Sequence, residues 1–462
     1  MRMTAALRNV ALALGLLCSA GLAQAGEATH WVTSWMQPMT AQVSNQRGPD
    51  GKLLRDAGGD PVQQRPVVQD ITLRQRVRLS LGGSRLRIRV SNVFGRQPLA
   101  IGAAQLALAA QDSAIRPGTS VPITFNGRSQ AQVPAGEELL SDPLSFDAPA
   151  LSILSISLYL PGKAELADMH PLQHGRVRWA VSGNAVAAKT LEGRTPVTGL
   201  SADNGEHVYA LTSVEVGARP GTRGVIAFGD SITDGHGAST PWQSWPSVLA
   251  TLSNAAGAPG LAVGNAGISA DEMAADQLEQ PGAGIAGLKR YYRDVIDRAG
   301  VTDVVVLFGA NDINRGPDTA LSPTGAHARE LIASYRLLAD VAHQHGLRIW
   351  AGTVLPFSDD DNWYSPQRDA TRRTVNAWLS KAEVFDGVID FADAVEGPYD
   401  TRQPPAGAPV PQGIATVCVV DEGVHPNDRG YAAMGQVAFN ALTGARGKVA
   451  APCRASAAPA VP

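Results

Sequence analysis

The chain has 462 residues and a formal net charge of −3, and 44% of its residues are hydrophobic. This length exceeds that of an ordinary single domain, and the composition is that of a globular protein with sizeable cores. The near-neutral charge gives no electrostatic basis for binding nucleic acid or an anionic membrane surface, so neither partner is expected.

The N-terminal residues have the pattern of a targeting segment. Two arginines precede an apolar run over 10–23, which ends in the small-x-small sequence Ala23-Gln24-Ala25. The run is shorter than the ~20 residues that span a bilayer, so we expect a signal peptide over 1–25, cleaved near Ala25, rather than a membrane anchor. The protein is therefore expected to be secreted or periplasmic, without stable insertion in a membrane.

Residues 26–218 are predicted to form an antiparallel β-sandwich. Apolar and polar residues alternate over 71–81 and 86–90, the period of a strand with one buried face. Gly82-Gly83 between these runs predicts a hairpin turn, and the arginines that alternate with the apolar residues are expected on a solvated face. Several short strands without a helical segment are typical of a sandwich. Further strand-like runs lie at 31–35, 105–109, 121–125 and 151–160.

Residues 219–448 alternate between strand-like and helix-like segments. Such alternation predicts βαβ units and a parallel sheet covered by helices on both faces, a three-layer α/β/α domain. The Ala/Pro-rich residues 449–462 are expected to form a tail. The predicted strands are 224–228, 261–264, 304–308, 347–355 and 387–390, and the predicted helices are 242–254, 288–299, 326–345, 368–381 and 428–442.

Two cysteines follow the predicted signal peptide. Cys418 and Cys453 form an even pair in a chain that we expect to be exported, and this predicts a disulfide. Such a bond would tie the tail to the segment just before His425. Two unpaired thiols are the alternative.

Polar residues with catalytic chemistry follow three successive predicted strands. Gly229-Asp230-Ser231 comes after the first strand, Gly267 after the second and Asn311 after the third. These positions share the carboxyl edge of a parallel sheet, where ligands bind. A glycine amide and an asparagine side chain are neutral donors suited to a negative carbonyl oxygen. A turn glycine and a helix cap are the alternative interpretations of Gly267 and Asn311.

A late histidine supplies the candidate base for Ser231. His425 lies just before the last predicted helix, close behind Asp421 and Glu422. An imidazole can accept the proton of a serine and return it to a leaving group. A carboxylate on the other ring nitrogen fixes the tautomer and stabilises the imidazolium. The sequence therefore predicts a serine-histidine-acid arrangement.

Together these segments resemble the four blocks of the SGNH/GDSL hydrolases, in the same order, over roughly residues 222–445. The resemblance implies a flavodoxin-like α/β fold, with Ser231 as nucleophile and His425 as base. It implies an oxyanion hole made by the Ser231 amide, the Gly267 amide and the Asn311 side chain. It also implies that no metal or organic cofactor is required. The strands at 26–218 resemble, more weakly, the β-domain that precedes the catalytic domain in some exported members.

The sequence departs from the family pattern at two places. The family usually has Asp three residues before the histidine, and that position is Glu422 here. Asp421, one residue earlier, is the alternative acid. In the second block, Ala270 stands where glycine is frequent.

The expected activity is that of a secreted serine esterase that hydrolyses carboxylic esters. Acetyl esters of polysaccharides and short-chain acyl esters are the candidate substrates. An acyltransferase with the same site and a carbohydrate-binding protein with an inert hydrolase domain are the alternatives. The pair His343-x-His345 is better explained as a helix C-terminus than as a metal site. The run 359–362 is better explained as a solvated turn than as a calcium loop.

Overall fold

The computed structural model of the protein describes residues 30–171, 175–197, 200, 205–255, 260–277, 282–316, 326–357, 363–398, 412–420, 423–445 and 453. The predicted signal peptide, the run 359–362 and all of the predicted tail except Cys453 lie outside these residues. Within them, no helix is both long and apolar enough to cross a bilayer.

The first part of the described chain consists of antiparallel strands. Two larger sheets face each other across a common apolar core, to which Leu73 and Ile156 of one sheet and Ile88 and Val216 of the other contribute fully buried side chains. The strands are β1 His30–Met36, β2 Thr40–Ala41, β3 Ser44–Asn45, β4 Gln63–Gln64, β5 Val67–Arg78, β6 Gly83–Ser91, β7 Leu99–Ile101, β8 Ala103–Leu108, β9 Val121–Ile123, β10 Ala131–Val133, β11 Glu138–Leu140, β12 Leu144–Ala148, β13 Ile153–Glu165, β14 Asp168–His170, β15 Arg178–Ser182, β16 Val208–Tyr209 and β17 Leu211–Ala218. The predicted β-domain is confirmed.

The predicted hairpin at Gly82-Gly83 is wrong. Strand β5 pairs with β13 and β15, whereas β6 pairs with β17, β11 and β12. The chain therefore crosses from one sheet to the other at this point. Because each strand has one apolar face, the crossing lets both faces meet in the same core, which a hairpin within one sheet would not do.

The expectation that the arginines of β5 lie on a solvated face fails for Arg74. Its side chain is completely buried, because segments around Ser113 and Ala188 cover this face of the sheet. The guanidinium donates to the carbonyl oxygens of Ser113 and Ala188 at 2.8 and 2.7 Å, and to Ser157 Oγ at 2.9 Å. A buried arginine with several acceptors is a structural anchor rather than a solvated surface residue.

The second part of the chain is built on a five-stranded parallel sheet with the strand order β19-β18-β20-β21-β22. Numbered from its own first strand, this order is 2-1-3-4-5, the flavodoxin-like arrangement. The strands are β18 Gly224–Gly229, β19 Ala262–Gly267, β20 Val301–Leu307, β21 Arg348–Gly352 and β22 Gly387–Ile389, with a small antiparallel pair of β23 Glu396–Pro398 and β24 Gln412–Ile414. The predicted α/β fold class is confirmed; the exact domain boundaries stay predictions.

Helices follow the parallel strands as the alternation predicts. All six residues of β18 are buried, as a central strand covered on both faces requires. A π-helical turn at Tyr292–Ile296 continues α3, and a 3₁₀ turn at Thr416–Cys418 precedes the His425 segment. The α-helices are α1 Ser231–Asp234, α2 Trp245–Ser253, α3 Gly287–Tyr291, α4 Ala310–Arg315, α5 Ala326–Gln344, α6 Pro366–Leu379, α7 Phe391–Val395 and α8 Asp428–Thr443.

A disulfide links Cys418 and Cys453, as the sequence predicts. Both residues are fully buried. The backbone carbonyl of Cys418 accepts the N–H of Asn427 at 3.0 Å. The bond therefore fixes the turn against which the beginning of α8 is held.

The antiparallel part lies against the edge of the parallel sheet formed by β19. The N–H of Val263 in β19 donates to Ser80 Oγ at 2.8 Å. A second contact lies before β20, where the carbonyl of Ala299 accepts the N–H of Thr33 of β1 at 2.9 Å. A Cβ at position 264 would lie 2.8 Å from Ile226 Cδ1 and 2.9 Å from Met36 Cγ, so the side chain of Met36 in β1 lies directly against β19. The two parts are thus packed closely along this edge.

Candidate active site

Ser231 lies where the central strand of the parallel sheet ends. Strand β18 ends at Gly229, and Ser231 is the first residue of α1. Asp230 caps this short helix by accepting the N–H of Ile232 at 3.0 Å. A Cβ at position 229 would lie 2.4 Å from the carbonyl oxygen of Leu307, so only glycine fits the tight turn. The turn therefore places Ser231 at the carboxyl edge of the sheet.

The structure brings His425 to Ser231 although 194 residues separate them. Ser231 Oγ and His425 Nε2 are 2.8 Å apart, a normal hydrogen-bond distance. Both side chains are largely buried, with exposed fractions of 6% and 9%. With the serine hydroxyl as donor, Nε2 must be the unprotonated ring nitrogen, which is the form that a general base needs.

The segment that carries His425 is held at both ends. The N–H of Val420 donates to the carbonyl of His425 at 3.0 Å. Asn427 caps α8 by accepting the N–H groups of Arg429 and Gly430. The candidate acids Asp421 and Glu422 lie outside the described residues, so the choice between them stays open.

A second histidine, which the sequence analysis did not identify, lies beside the candidate base. The rings of His236 and His425 are 4.2 Å apart between centroids and inclined by 50°. The carbonyl of His236 accepts the hydroxyl of Tyr431 at 2.5 Å, which ties the loop after α1 to α8. His236 thus forms one wall of the space around His425.

Asn311 lies at the same sheet edge, in the first turn of α4. Its side chain is 4% exposed, and Nδ2 donates to the carbonyl of Asp271 at 3.0 Å. An asparagine amide carries two N–H donors, so this bond orients the group and leaves a second N–H for another acceptor. The geometry is compatible with the predicted oxyanion donor.

The prediction that the Gly267 amide serves as an oxyanion donor conflicts with the structure. This N–H donates to Asn265 Oδ1 at 2.9 Å. A Cβ at position 267 would lie 2.2 Å from the backbone nitrogen of Asp234. Glycine is therefore needed here because α1 packs directly on the strand. Gly267 is the last residue of β19, so it is a close-contact glycine and not the turn glycine of the alternative interpretation.

Ala270 stands three residues after Gly267, at the position of the second block where glycine is frequent. Its amide was not among the predicted oxyanion donors. Ala270 is half-buried in the loop after β19, and its φ of 64° is in the left-handed region that favours glycine. Its carbonyl accepts Arg315 Nη1 at 2.7 Å. Within the described part of the chain its N–H has no hydrogen-bond partner. The sequence signal was the departure from glycine at this block position.

A fully buried arginine, also missed by the sequence analysis, organises the carboxyl edge of the sheet. Arg290 donates to the carbonyl oxygens of Gly229 and Ala266, at 3.0 and 2.9 Å, which lie at the ends of the first two parallel strands. It also pairs with Asp271 at 2.7 Å, and its guanidinium lies 4.4 Å from the centre of the Phe228 ring. Arg290 thus joins the two segments that carry Ser231 and Ala270.

Asp230, next to the candidate nucleophile, is completely buried. Burial raises the pKa of its carboxyl to about 7, and the nearby Asp312 adds to the rise, while the N–H of Ile232 and the charge of Arg290 oppose it. The usual pKa is 3.8. Between pH 3.8 and about 7, the carboxyl group of Asp230 is therefore mostly protonated in the folded protein and mostly ionised in the unfolded chain.

We expect Asp230→Asn to stabilise the protein at neutral and higher pH. A raised folded-state pKa means that stability is lost as the pH rises from about 4 to about 7. Asparagine keeps an acceptor for Ile232 but carries no charge, so the variant should exceed the wild type by up to ~4 kcal/mol at pH 8 and by little at pH 4. Urea unfolding at both pH values measures this, with the exposed Asp297→Asn as control; equal differences at the two pH values would contradict it.

The pair His343-x-His345 is not brought together as a metal site. His343 Nε2 lies 3.0 Å from Asp386 Oδ2, and the His345 ring packs edge-on against Tyr292. Among the described residues no group of three or more His, Cys, Asp or Glu side chains has metal-binding geometry.

The site combines a buried serine hydroxyl in contact with an imidazole and neutral donors at the same carboxyl edge of a parallel sheet. This arrangement is that of a serine hydrolase. Residues 227–433 match the model of the GDSL-like lipase/acylhydrolase family. The chain therefore contains a domain of this family of hydrolases. A search of curated proteins found no match.

Solved structures similar to this chain match its second half. They include a lipase/acylhydrolase from Enterococcus faecalis (22% identity, TM-score 0.34, 48% of this chain and 96% of that one). An arylesterase from Agrobacterium tumefaciens has 19% identity and a TM-score of 0.34 over 47% of this chain and 97% of that one. A carbohydrate acetylesterase family member from Sinorhizobium meliloti has 18% identity and the same TM-score over 47% and 96%.

Proposed function

We propose that the protein is a secreted serine esterase that hydrolyses carboxylic esters. The observation that carries the proposal is the 2.8 Å contact between Ser231 Oγ and His425 Nε2 at the sheet edge. In the proposed reaction Ser231 Oγ bonds to the ester carbonyl carbon while its proton passes to His425 Nε2. The tetrahedral intermediate then breaks its bond to the alcohol oxygen, which takes the proton from His425.

The resulting acyl-enzyme is hydrolysed by the same groups. Water gives a proton to His425 Nε2 and bonds to the acyl carbon, the bond to Ser231 Oγ breaks, and the proton returns to Ser231. An acid from Asp421 or Glu422 would hold the imidazole. The Ser231 and Ala270 amides and the Asn311 side chain are the proposed donors to the oxyanion.

The substrate proposed is a small-molecule or polysaccharide ester, with acetyl and short acyl esters foremost. Export with cleavage near Ala25 belongs to the same proposal, and N-terminal sequencing of the mature protein tests it.

A fluorophosphonate probe tests the nucleophile directly. We expect one covalent adduct, located on Ser231 by peptide mass spectrometry, and loss of the adduct in His425→Ala because the hydroxyl is then not activated. A panel of acetylated xylan, short acyl esters and long-chain lipids tests the substrate class. A wild-type protein that neither reacts with the probe nor hydrolyses any ester would overturn the proposal.

A further inference from the structure

His170 reaches the nucleophile helix from the antiparallel part of the protein. It is the last residue of β14, and its side chain is completely buried. Its Nδ1 lies 2.8 Å from the carbonyl oxygen of Pro38, and its Nε2 lies 3.0 Å from Asp234 Oδ1. Asp234 is the last residue of α1, the helix that Ser231 begins.

The acceptors around His170 fix where its protons lie. A peptide carbonyl only accepts hydrogen bonds, so Nδ1 must carry a proton. The contact between Nε2 and Asp234 Oδ1 contains a proton as well, carried either by the imidazole, which then donates to a carboxylate, or by a carboxyl group, which then donates to Nε2. With both ring nitrogens engaged and the ring buried, the imidazole is held in one orientation.

Asp234 also contacts the loop that contains Ala270. Its second oxygen, Oδ2, accepts the hydroxyl of Ser269 at 2.7 Å, and Ser269 directly precedes Ala270. The opposite end of α1 is Ser231, three residues from Asp234 and therefore ~4.5 Å along the helix axis. A hydrogen-bonded series of His170, Asp234 and Ser269 thus connects the antiparallel part to both segments that surround the reacting carbonyl.

We infer that His170 is a positioning residue for the active site, so that the antiparallel part completes the catalytic machinery as well as covering the sheet edge. His170 holds Asp234, which in turn fixes the direction of α1 and the conformation of the loop over 268–270. The inference rests on the proposed function. A displacement of ~1 Å at the reacting groups costs about 100-fold in rate, so a small rearrangement of α1 is sufficient for a measurable effect.

The test compares two substitutions of this histidine. His170→Phe keeps a planar aromatic ring but removes both ring nitrogens and their hydrogen bonds, and we expect kcat for p-nitrophenyl acetate to fall about 10- to 100-fold with little change in KM. His170→Gln retains an N–H near the position of Nε2, and it should recover most of the lost kcat. A role in overall stability alone would not give this recovery at equal folded fraction.

The chain offers a matched control in a second histidine-aspartate pair. His343 and Asp386 have the same 3.0 Å contact, but their side chains are 46% and 33% exposed. Asp386 accepts the N–H of Ile349 near the beginning of β21, whereas α1 follows the carboxyl end of β18. His343→Gln should leave kcat and KM within about twofold of the wild type, because exposed ion pairs contribute little. A folded His170→Phe protein with wild-type kcat would overturn the inference.

Two further measurements test the inference if His170→Phe does not fold or if the wild type has no esterase activity. If His170→Phe does not fold, Ser269→Ala breaks the same series at its other end; kcat should fall at least fivefold, and an unchanged kcat would overturn the inference. If the wild type has no esterase activity, the proposed function fails separately. Amide hydrogen exchange over 231–235 and 268–271 then decides, with at least tenfold faster exchange expected in Ser269→Ala than in the wild type, and unchanged exchange refuting the inference.

Discussion

Replacing Ser231 by alanine is expected to reduce the turnover of p-nitrophenyl acetate by at least ~10⁴-fold while preserving the fold. The substitution removes only the hydroxyl that contacts His425 at 2.8 Å and leaves the backbone amides in place. The remaining donors can still bind an ester, so KM should change far less than kcat. Circular dichroism and thermal unfolding measure the fold, and steady-state kinetics measure the loss.

A second buried serine provides the control for this experiment. Ser334 in α5 is 7% exposed, close to the 6% of Ser231, but its hydroxyl donates to the carbonyl of Glu330. Ser334→Ala should retain wild-type turnover within about twofold. Near-wild-type turnover by Ser231→Ala would contradict the assignment of the nucleophile.

Among the substitutions proposed here, removal of the guanidinium of Arg290 should lower the free energy of unfolding the most. In Arg290→Met, the carboxylate of Asp271 loses its buried partner, and the carbonyl oxygens of Gly229 and Ala266 lose their donor. Breaking a buried ion pair from one side costs about 3–5 kcal/mol, because the remaining charge stays uncompensated. Urea unfolding at neutral pH should therefore give a much lower midpoint, with activity per folded molecule reduced as well.

An exposed arginine tests whether burial is the reason for the expected loss of stability in Arg290→Met. Arg373 also pairs with a carboxylate, that of Asp369 at 2.5 Å, but its side chain is 70% exposed. Arg373→Met should cost no more than ~1 kcal/mol. If both variants lose the same free energy of unfolding, the structural role assigned to Arg290 is incorrect.

The positions of Ser231 and Asn311 could be predicted because they depend on local patterns. Each follows a short apolar strand, and parallel strands present their carboxyl ends at one edge. His425 could be predicted because its chemistry, placed before a capped helix, complements a serine nucleophile. The 2.8 Å contact between Ser231 and His425 could not be predicted from a local pattern, because it joins residues that are 194 positions apart in the chain.

The remaining features depend on contacts that no local pattern contains. Arg290 and His170 look like ordinary polar residues in sequence, and only the packing of distant segments buries them. The Gly267 prediction failed because a glycine can serve either a ligand or a close helix-strand contact. The same limit applies to the Gly82 hairpin: alternation gives the buried face of each strand but not the sheet to which it belongs.

The coverage of β19 by the antiparallel part has a practical consequence for dissecting the protein. Produced without residues 30–218, the hydrolase half would present the unoccupied side of this strand to solvent, with the Val263 N–H deprived of Ser80. Open strand borders recruit other chains, so such a fragment would tend to self-associate and precipitate. Attempts to isolate the hydrolase half would then meet an insolubility that has nothing to do with its chemistry.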